Sequence, residues 1–459
     1  MFLWPLVIAL FGLVIYGQQS SNLGSRAKST AAPVAVDPTV FEETVEEQTF
    51  AGVTRLFLKA AAAMKATDPS APIGEFLPGL ENQAKSPADK VRLVIAAGEL
   101  KDETSALSRL ATLESNAEIP PALKGDLATL RAIYEGRKAD LTDDQRAALK
   151  KNHRKLGDIA LTFKDGDTPE RRALMAGGIQ LLVLIIVAGL IVIGAFVSGF
   201  LLLPFMLVMF ATRRLKTHFV PPAPGGSVFL ETFAVFLVGF LVLKLVSGAI
   251  ADANPTERWP LYLGLAAQWL LMPIVLWPRV RGMTSRAWSS AVGLHKGGGV
   301  GREILAGVVG YVSGLPILAV AMVVTAVLII VRNALSGEKG PPNNPIQEFL
   351  QNSDLPLQLL LGLMAFAWAP IVEELIFRGG VYRHLRARTP ILVAAAFSAL
   401  IFGFMHGYDP IMLLPVIALG YNFALIREWR GSIIASMTAH AIHNGFIMAS
   451  MIVGINLLG

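Results

Sequence analysis

The sequence predicts an all-α polytopic membrane protein, with eight or nine transmembrane helices and an N-terminal helical domain outside the membrane. Three observations predict it. The 459 residues are 53% hydrophobic and 16% charged, with a mean hydropathy of +0.55, which is too apolar for a chain solvated throughout. Nine apolar runs read as membrane-crossing helices, near residues 2–17, 178–210, 228–250, 259–277, 304–331, 355–377, 390–406, 411–426 and 433–458. The loops between them alternate in basic charge.

That alternation sets the topology. Arg213, Arg214 and Lys216 follow the second run, and Arg279, Arg281, Arg286, Lys296 and Arg302 follow the fourth. Arg383, Arg386 and Arg388 follow the sixth, and Arg427 and Arg430 the eighth. The intervening loops hold few cations and several acids, among them Asp252, Glu257, Glu348, Asp354 and Asp409. Basic loops stay in the cytoplasm, so residues 18–175 and the C-terminus are expected outside. Residues 18–175 carry 22 basic and 23 acidic side chains, whereas residues 176–459 carry 18 and 11. The basic excess therefore belongs to the membrane half, and it reads as topology toward a lipid bilayer rather than as a nucleic-acid face. The chain has no cysteine, which excludes disulfides, thiolate nucleophiles and Cys-containing zinc sites.

In chain order, residues 1–17 form a signal anchor or first transmembrane helix. A cleaved signal peptide is the alternative, but Met1–Pro5 carries no cation and no clear A-x-A site follows. Residues 18–175 form the outer domain, opening with a Ser-, Ala- and Pro-rich linker over Gln18–Asp37. Helix starts are legible at Ser86-Pro87-Ala88-Asp89, Thr142-Asp143-Asp144-Gln145 and Thr168-Pro169-Glu170, each a hydroxyl ahead of a proline or acids. Apolar residues at helical spacing after Val91 and Leu127 predict a bundle of paired helices, with a protein partner as its expected role. Residues 176–299 supply accessory transmembrane helices and residues 300–459 the core. The glycines at 297, 298, 299 and 301 lack the preceding strand and the Gly-Lys-Ser/Thr ending of a phosphate loop, so they read as a cytoplasmic turn.

Chemistry concentrates near the C-terminus. Adjacent carboxylates, Glu373 and Glu374, close the apolar run that begins at Leu355. Ionisable groups at membrane depth are costly and their default reading is functional. Downstream, in apolar sequence, lie His406, His440, His443 and Asn444, whereas His153, His218, His295 and His384 fall in polar stretches and are expected to be solvated. Positions four apart share a helical face, so Glu374 pairs with Arg378 and His440 projects with Asn444; His443 is the weaker candidate. A carboxylate that takes a proton from water, beside imidazole and amide donors, is the minimum set for hydrolysing an amide.

At these residues the sequence resembles a known family. Glu373-Glu374-x-x-x-Arg378, Phe402-x-x-x-His406 and His440-x-x-x-Asn444 match, in order, the three motifs of the CPBP intramembrane proteases, also called the Abi or type II CAAX prenyl endopeptidase family. The resemblance covers roughly residues 300–459 and leaves the outer domain aside. It implies a glutamate-dependent endopeptidase acting in a chamber among transmembrane helices on a membrane-associated protein or peptide. Glu373 would be the general base, assisted by His406, with Glu374 and Arg378 orienting the site and His440 and Asn444 stabilising the oxyanion. The implied chemistry needs no cofactor; zinc, if used, would be held by Glu373, His406 and His440. A signal anchor followed by an outer domain points to a bacterial inner membrane.

Two other classes compete. A transporter would show repeated clusters of buried ionisable groups, and no second Glu-Glu or His cluster lies within the apolar runs before residue 373. A non-catalytic scaffold or bacteriocin-immunity factor would use the outer domain for binding. One depth relation also stands out. A straight helix from Pro390 would carry His406 about 24 Å toward the outer face, away from a Glu373 near the cytoplasmic face. The two meet only if that helix is tilted or broken, if the sixth span runs deeper, or if His406–Pro410 is re-entrant.

Overall fold

The computed structural model describes residues 3–30, 41, 44–116, 119–223, 228–337, 342 and 344–458, and every regular element among them is helical. The first helix, α1, spans Leu3–Thr30. It runs past residue 17 into the predicted linker, where no proline stands before Pro33 to stop it. Seven helices follow: α2 (Val45–Thr67), α3 (Phe76–Glu81), α4 (Pro87–Leu100), α5 (Glu103–Glu114), α6 (Pro121–Tyr134), α7 (Asp143–Leu161) and α8 (Pro169–Met175).

The predicted caps open α4, α7 and α8. Ser86 Oγ accepts from the Asp89 amide at 3.1 Å while the Asp89 carboxylate accepts from the Ser86 amide at 3.1 Å. Thr142 and Gln145 form the same reciprocal pair, and Thr168 accepts from the Arg171 amide. These side chains satisfy amides that a first turn leaves unpaired. Leu80, Val91, Val94, Leu110, Leu130 and Ile159 lie in one apolar core. Through it passes a buried cation: Arg92 Nη1 donates to Glu47 O at 2.6 Å and Nη2 to Asn152 O at 3.4 Å, joining α2, α4 and α7. His384 is buried rather than solvated, and so is His153, with Nε2 3.2 Å from Asp126 Oδ2. The sequence neighbours of His153 are polar, but it shares the inward face of α7 with Leu149 and Leu156.

The remaining helices are α9 (Gly178–Ala211), α10 (Val228–Ala253), α11 (Trp259–Ala267), α12 (Trp277–Val280), α13 (Ser285–Val292), α14 (Val300–Ser336), α15 (Pro345–Gln351), α16 (Leu355–Leu363), α17 (Ala369–Ile376), α18 (Tyr382–Arg386), α19 (Ile391–Phe404), α20 (Leu413–Arg430) and α21 (Ile434–Leu458). The chain divides into two compact units, residues 1–30 with 192–452 and residues 31–191 with 453–459. Among the described residues seven helical segments are long and apolar enough to cross a membrane, and Leu3–Tyr16 and Ile391–Phe404 are apolar but shorter. These are the nine predicted runs. Large apolar side chains such as Leu190, Phe200, Leu201 and Leu245 face outward, as lipid-facing residues of a multi-pass membrane protein do. Inside the larger unit α1 packs on α10, with Val7 and Val14 in the same core as Leu230, Phe233 and Leu237. The glycine turn before α14 is tied down by Glu303, whose carboxylate accepts from the Gly298 amide at 3.0 Å and from Arg430 at 2.6 Å.

Two boundaries differ from the sequence reading, and both bear on the depth of Glu373 and His406. The sixth span continues to Arg386, so Glu373 lies near the middle of a 32-residue helical segment. The cations after residue 377 mark where the apolar run stops, not where the helix does. The seventh span is short: α19 ends at Phe404, and Gly407, with φ of 66°, turns the chain. His406 therefore sits in that turn instead of at the far end of a full crossing.

Candidate active site

Glu373 and Glu374 stand between two π-helical turns, Met364–Trp368 and Phe377–Val381. Pro370 gives the first a cause, because it has no N–H and its ring crowds the carbonyl four residues back, so the hydrogen-bond ladder widens. Each extra residue advances the following side chains by about 100°. The face that α17 presents is consequently set by these turns.

Arg378 is the buried base of the site. Its Nη1 donates to Glu374 Oε1 at 2.7 Å and its Nη2 to Gly420 O at 3.0 Å. The guanidinium carbon lies 4.3 Å over the Phe402 ring and 5.2 Å from that of Phe423. A cation removed from water needs such acceptors and ring faces around it. Gly420 makes room for them: a Cβ there would meet Phe402 at 2.9 Å, Ala399 Cα at 3.2 Å and Arg378 Nη2 at 3.3 Å.

His440, on α21, links the two glutamates. Its ring stacks on Phe423 with centroids 4.9 Å apart and meets Phe402 edge-on at 5.9 Å. Nδ1 is 3.1 Å from Glu374 Oε1, and Nε2 is 3.9 Å from Glu373 Oε2. Because Arg378 already holds Glu374 as an acceptor, Nδ1 is assigned as the donor of the first pair, which turns Nε2 toward Glu373. The Glu374 side chain is 0% exposed, whereas that of Glu373 is 19% exposed. Among the described residues nothing donates a hydrogen bond to Glu373 Oε2, although the atom is turned inward.

His406 closes another side. Its Nδ1 is 2.9 Å from Phe402 O, its ring centroid 4.7 Å from that of Phe402, and it lies within electrostatic reach of Glu373 and His440. Donation from Nδ1 to that carbonyl leaves Nε2 as an acceptor. Phe402 is thus a hub touched by Arg378, His406 and His440. Asn444 lies one turn beyond His440, and its Nδ2 donates to Ala365 O in the first π turn at 2.9 Å. Among the described residues no three His, Asp or Glu side chains stand in a metal-holding arrangement, so Glu373, His406 and His440 do not fit a zinc site.

Residues 355–446 match the type II CAAX prenyl endopeptidase Rce1-like family. The match starts at the first residue of α16 and ends within α21, and it contains all six predicted site residues while leaving residues 1–354 outside. No curated protein and no solved structure matches the chain. The similarity to that protease family thus lies in one C-terminal segment of a multi-pass membrane protein.

Phe423, Gly420, Ser436, Tyr408 and Tyr311 escaped the sequence reading, which named His443 only as the weaker candidate. Phe423 and Gly420 come from α20, where nothing in the local pattern separates them from ordinary packing residues. Ser436 lies beside Glu374 and completes the run Ser436-x-x-x-His440-x-x-x-Asn444, a spacing that was available to find it. Tyr408, two residues after His406, is in electrostatic reach of Glu373. His443 meets Tyr311 of α14, with Nδ1 and Oη 3.2 Å apart.

Proposed function

We propose that the chain is an intramembrane endopeptidase that hydrolyses a peptide bond in a membrane-associated protein or peptide, with Glu373 as the base. Water placed at Glu373 gives its proton to the carboxylate as its oxygen attacks the scissile carbonyl. His440 Nε2, facing the same carboxylate, relays that proton to the leaving amine as the C–N bond breaks. Glu374 and Arg378 fix the tautomer and direction of His440, much as a buried acid orients a histidine in other hydrolases. His406, with Nε2 as acceptor, holds the second hydrogen of the water. Asn444 spends one amide proton on Ala365 and keeps the other for the developing oxyanion.

One observation carries this reading. Of two adjacent carboxylates, Glu374 is wholly buried and held by an arginine and a histidine, whereas Glu373 is partly exposed and stands 3.9 Å from His440 Nε2. The setting we propose is a bacterial inner membrane, with residues 18–175 outside and available to a protein partner.

A survey of new protein termini in cells carrying either the wild type or Glu373→Gln tests it. Specific termini should vanish in the variant while their intact precursors accumulate at equal protein abundance. If the termini are unchanged and deletion of the whole chain still produces a phenotype, a non-catalytic scaffold replaces the protease.

A further inference from the structure

The inner side of α21 touches three different neighbours. His440 meets the glutamates of α17, Asn444 meets Ala365, and His443 meets Tyr311 of α14. At 100° per residue, His443 lies about 60° to one side of His440 and Asn444 about 40° to the other. All three therefore share one polar arc, and the relation to Asn444 alone undervalues His443. The hydrolytic steps above use neither His443 nor Tyr311.

The pair has a defined direction. Tyr311 Oη is 3.2 Å from His443 Nδ1, with ring centroids 5.9 Å apart, in a helix pair whose surroundings are apolar. The titratable group in electrostatic reach of His443 is His440, not a carboxylate. A phenol beside a neutral imidazole is the stronger donor, so Tyr311 donates to Nδ1 and the ring proton resides on Nε2. Among the described residues nothing pairs with Nε2, and His443 is half-buried without that atom being among the fully buried unpaired ones.

We propose that His443 is a substrate-binding residue of the same chamber, held by Tyr311 so that its Nε2–H donates to a main-chain carbonyl of the bound peptide. The helical rise from His440 to His443 is about 4.5 Å, and an extended chain advances about 3.3 Å per residue. The recognised carbonyl is thus the one next to the bond that is cut, and the substrate class is an extended main chain read without regard to its side chains. This inference rests on the endopeptidase reading.

The test uses the full-length protein in lipid nanodiscs and a quenched fluorogenic peptide built on a cleavage site from the terminus survey. Tyr311→Phe and His443→Leu should raise KM about fivefold, the weight of one neutral hydrogen bond, with kcat within about twofold. His443→Gln, whose amide reaches toward the position of Nε2, should restore most of the loss. An unchanged KM in Tyr311→Phe and His443→Leu, or a glutamine variant as poor as the leucine variant, overturns the proposal. Cleavage that survives Glu373→Gln would refute Glu373 as the base, and a wild-type protein that leaves the peptide intact would refute the endopeptidase reading, and this inference with it. Nitrogen-15 spectra of labelled histidines give a readout independent of activity: a wild-type His443 carrying its proton on Nε2 supports the assignment, and one carrying it on Nδ1 contradicts it.

Discussion

The N-terminal helical domain and the membrane unit both bury arginines and acids, and they end those networks differently. In the N-terminal domain Arg92 donates to the carbonyls of Glu47 and Asn152, and His153 and Asp126 form a buried pair. In the membrane unit Arg378 begins a chain that leads outward, through Glu374 and His440 to Glu373 at 19% exposure. One network stays buried throughout and joins helices. The other ends in a carboxylate that is partly exposed. Buried charge by itself is weak support for stability or for catalysis; where the network stops is what separates the two roles.

The largest effect on this contrast should come from Arg378→Met. It leaves Glu374 as a buried carboxylate without its cation, an expected loss of about 3–5 kcal/mol, read as a lowered unfolding midpoint of the full-length protein in detergent. A loss below about 1 kcal/mol would mean the pair is not the foundation of the site. Arg92→Met is the matching cut in the N-terminal helical domain. Losing its bonds to two carbonyls should cost about 2–3 kcal/mol while cleavage of a membrane-embedded substrate stays unchanged, and a parallel loss of cleavage would erase the contrast.

The smallest effect is a pH dependence in the N-terminal helical domain. Burial pushes the Glu99 carboxyl above its ordinary value of 4.5, against the pull of Arg171 and Lys65. The folded state then binds that proton more tightly than the unfolded state does. Its contribution to stability is therefore full below pH 4.5 and is lost as pH rises through the raised value. Hydrogen exchange across α4 should accelerate over that window in the wild type, beyond the intrinsic rate, and Glu99→Gln should flatten the trend. A trend that persists in the variant would assign it to another group.

How much was legible in the sequence follows from how local each signal is. Ser86, Thr142 and Thr168 were readable as caps because a cap is decided within four residues. The nine apolar runs and the Glu374–Arg378 pair were readable because hydropathy and i,i+4 spacing are local too. Depth was not, since the sequence shows where polarity begins but not that α17 and α18 continue one helix to Arg386, nor that α19 stops at Phe404. The wide turns on either side of Glu373 were hidden for a related reason: they rotate side chains without changing composition. Tyr311 and His443 are 132 residues apart, and Gly420 and Arg378 are 42 apart. Only packing brings such partners together. His153 shows the converse error, in which polar neighbours concealed an inward face.

The central claim is that two adjacent glutamates have separate tasks, and comparing Glu373→Gln with Glu374→Gln in one preparation tests it most directly. Both are nearly isosteric, and each is measured for cleavage and for unfolding midpoint. The account predicts that Glu373→Gln lowers cleavage by about 10²–10⁴-fold with its midpoint unchanged, whereas Glu374→Gln lowers the midpoint because Arg378 loses its counter-charge. A Glu373→Gln protein that still cleaves, or a Glu374→Gln protein as stable as the wild type, would contradict it.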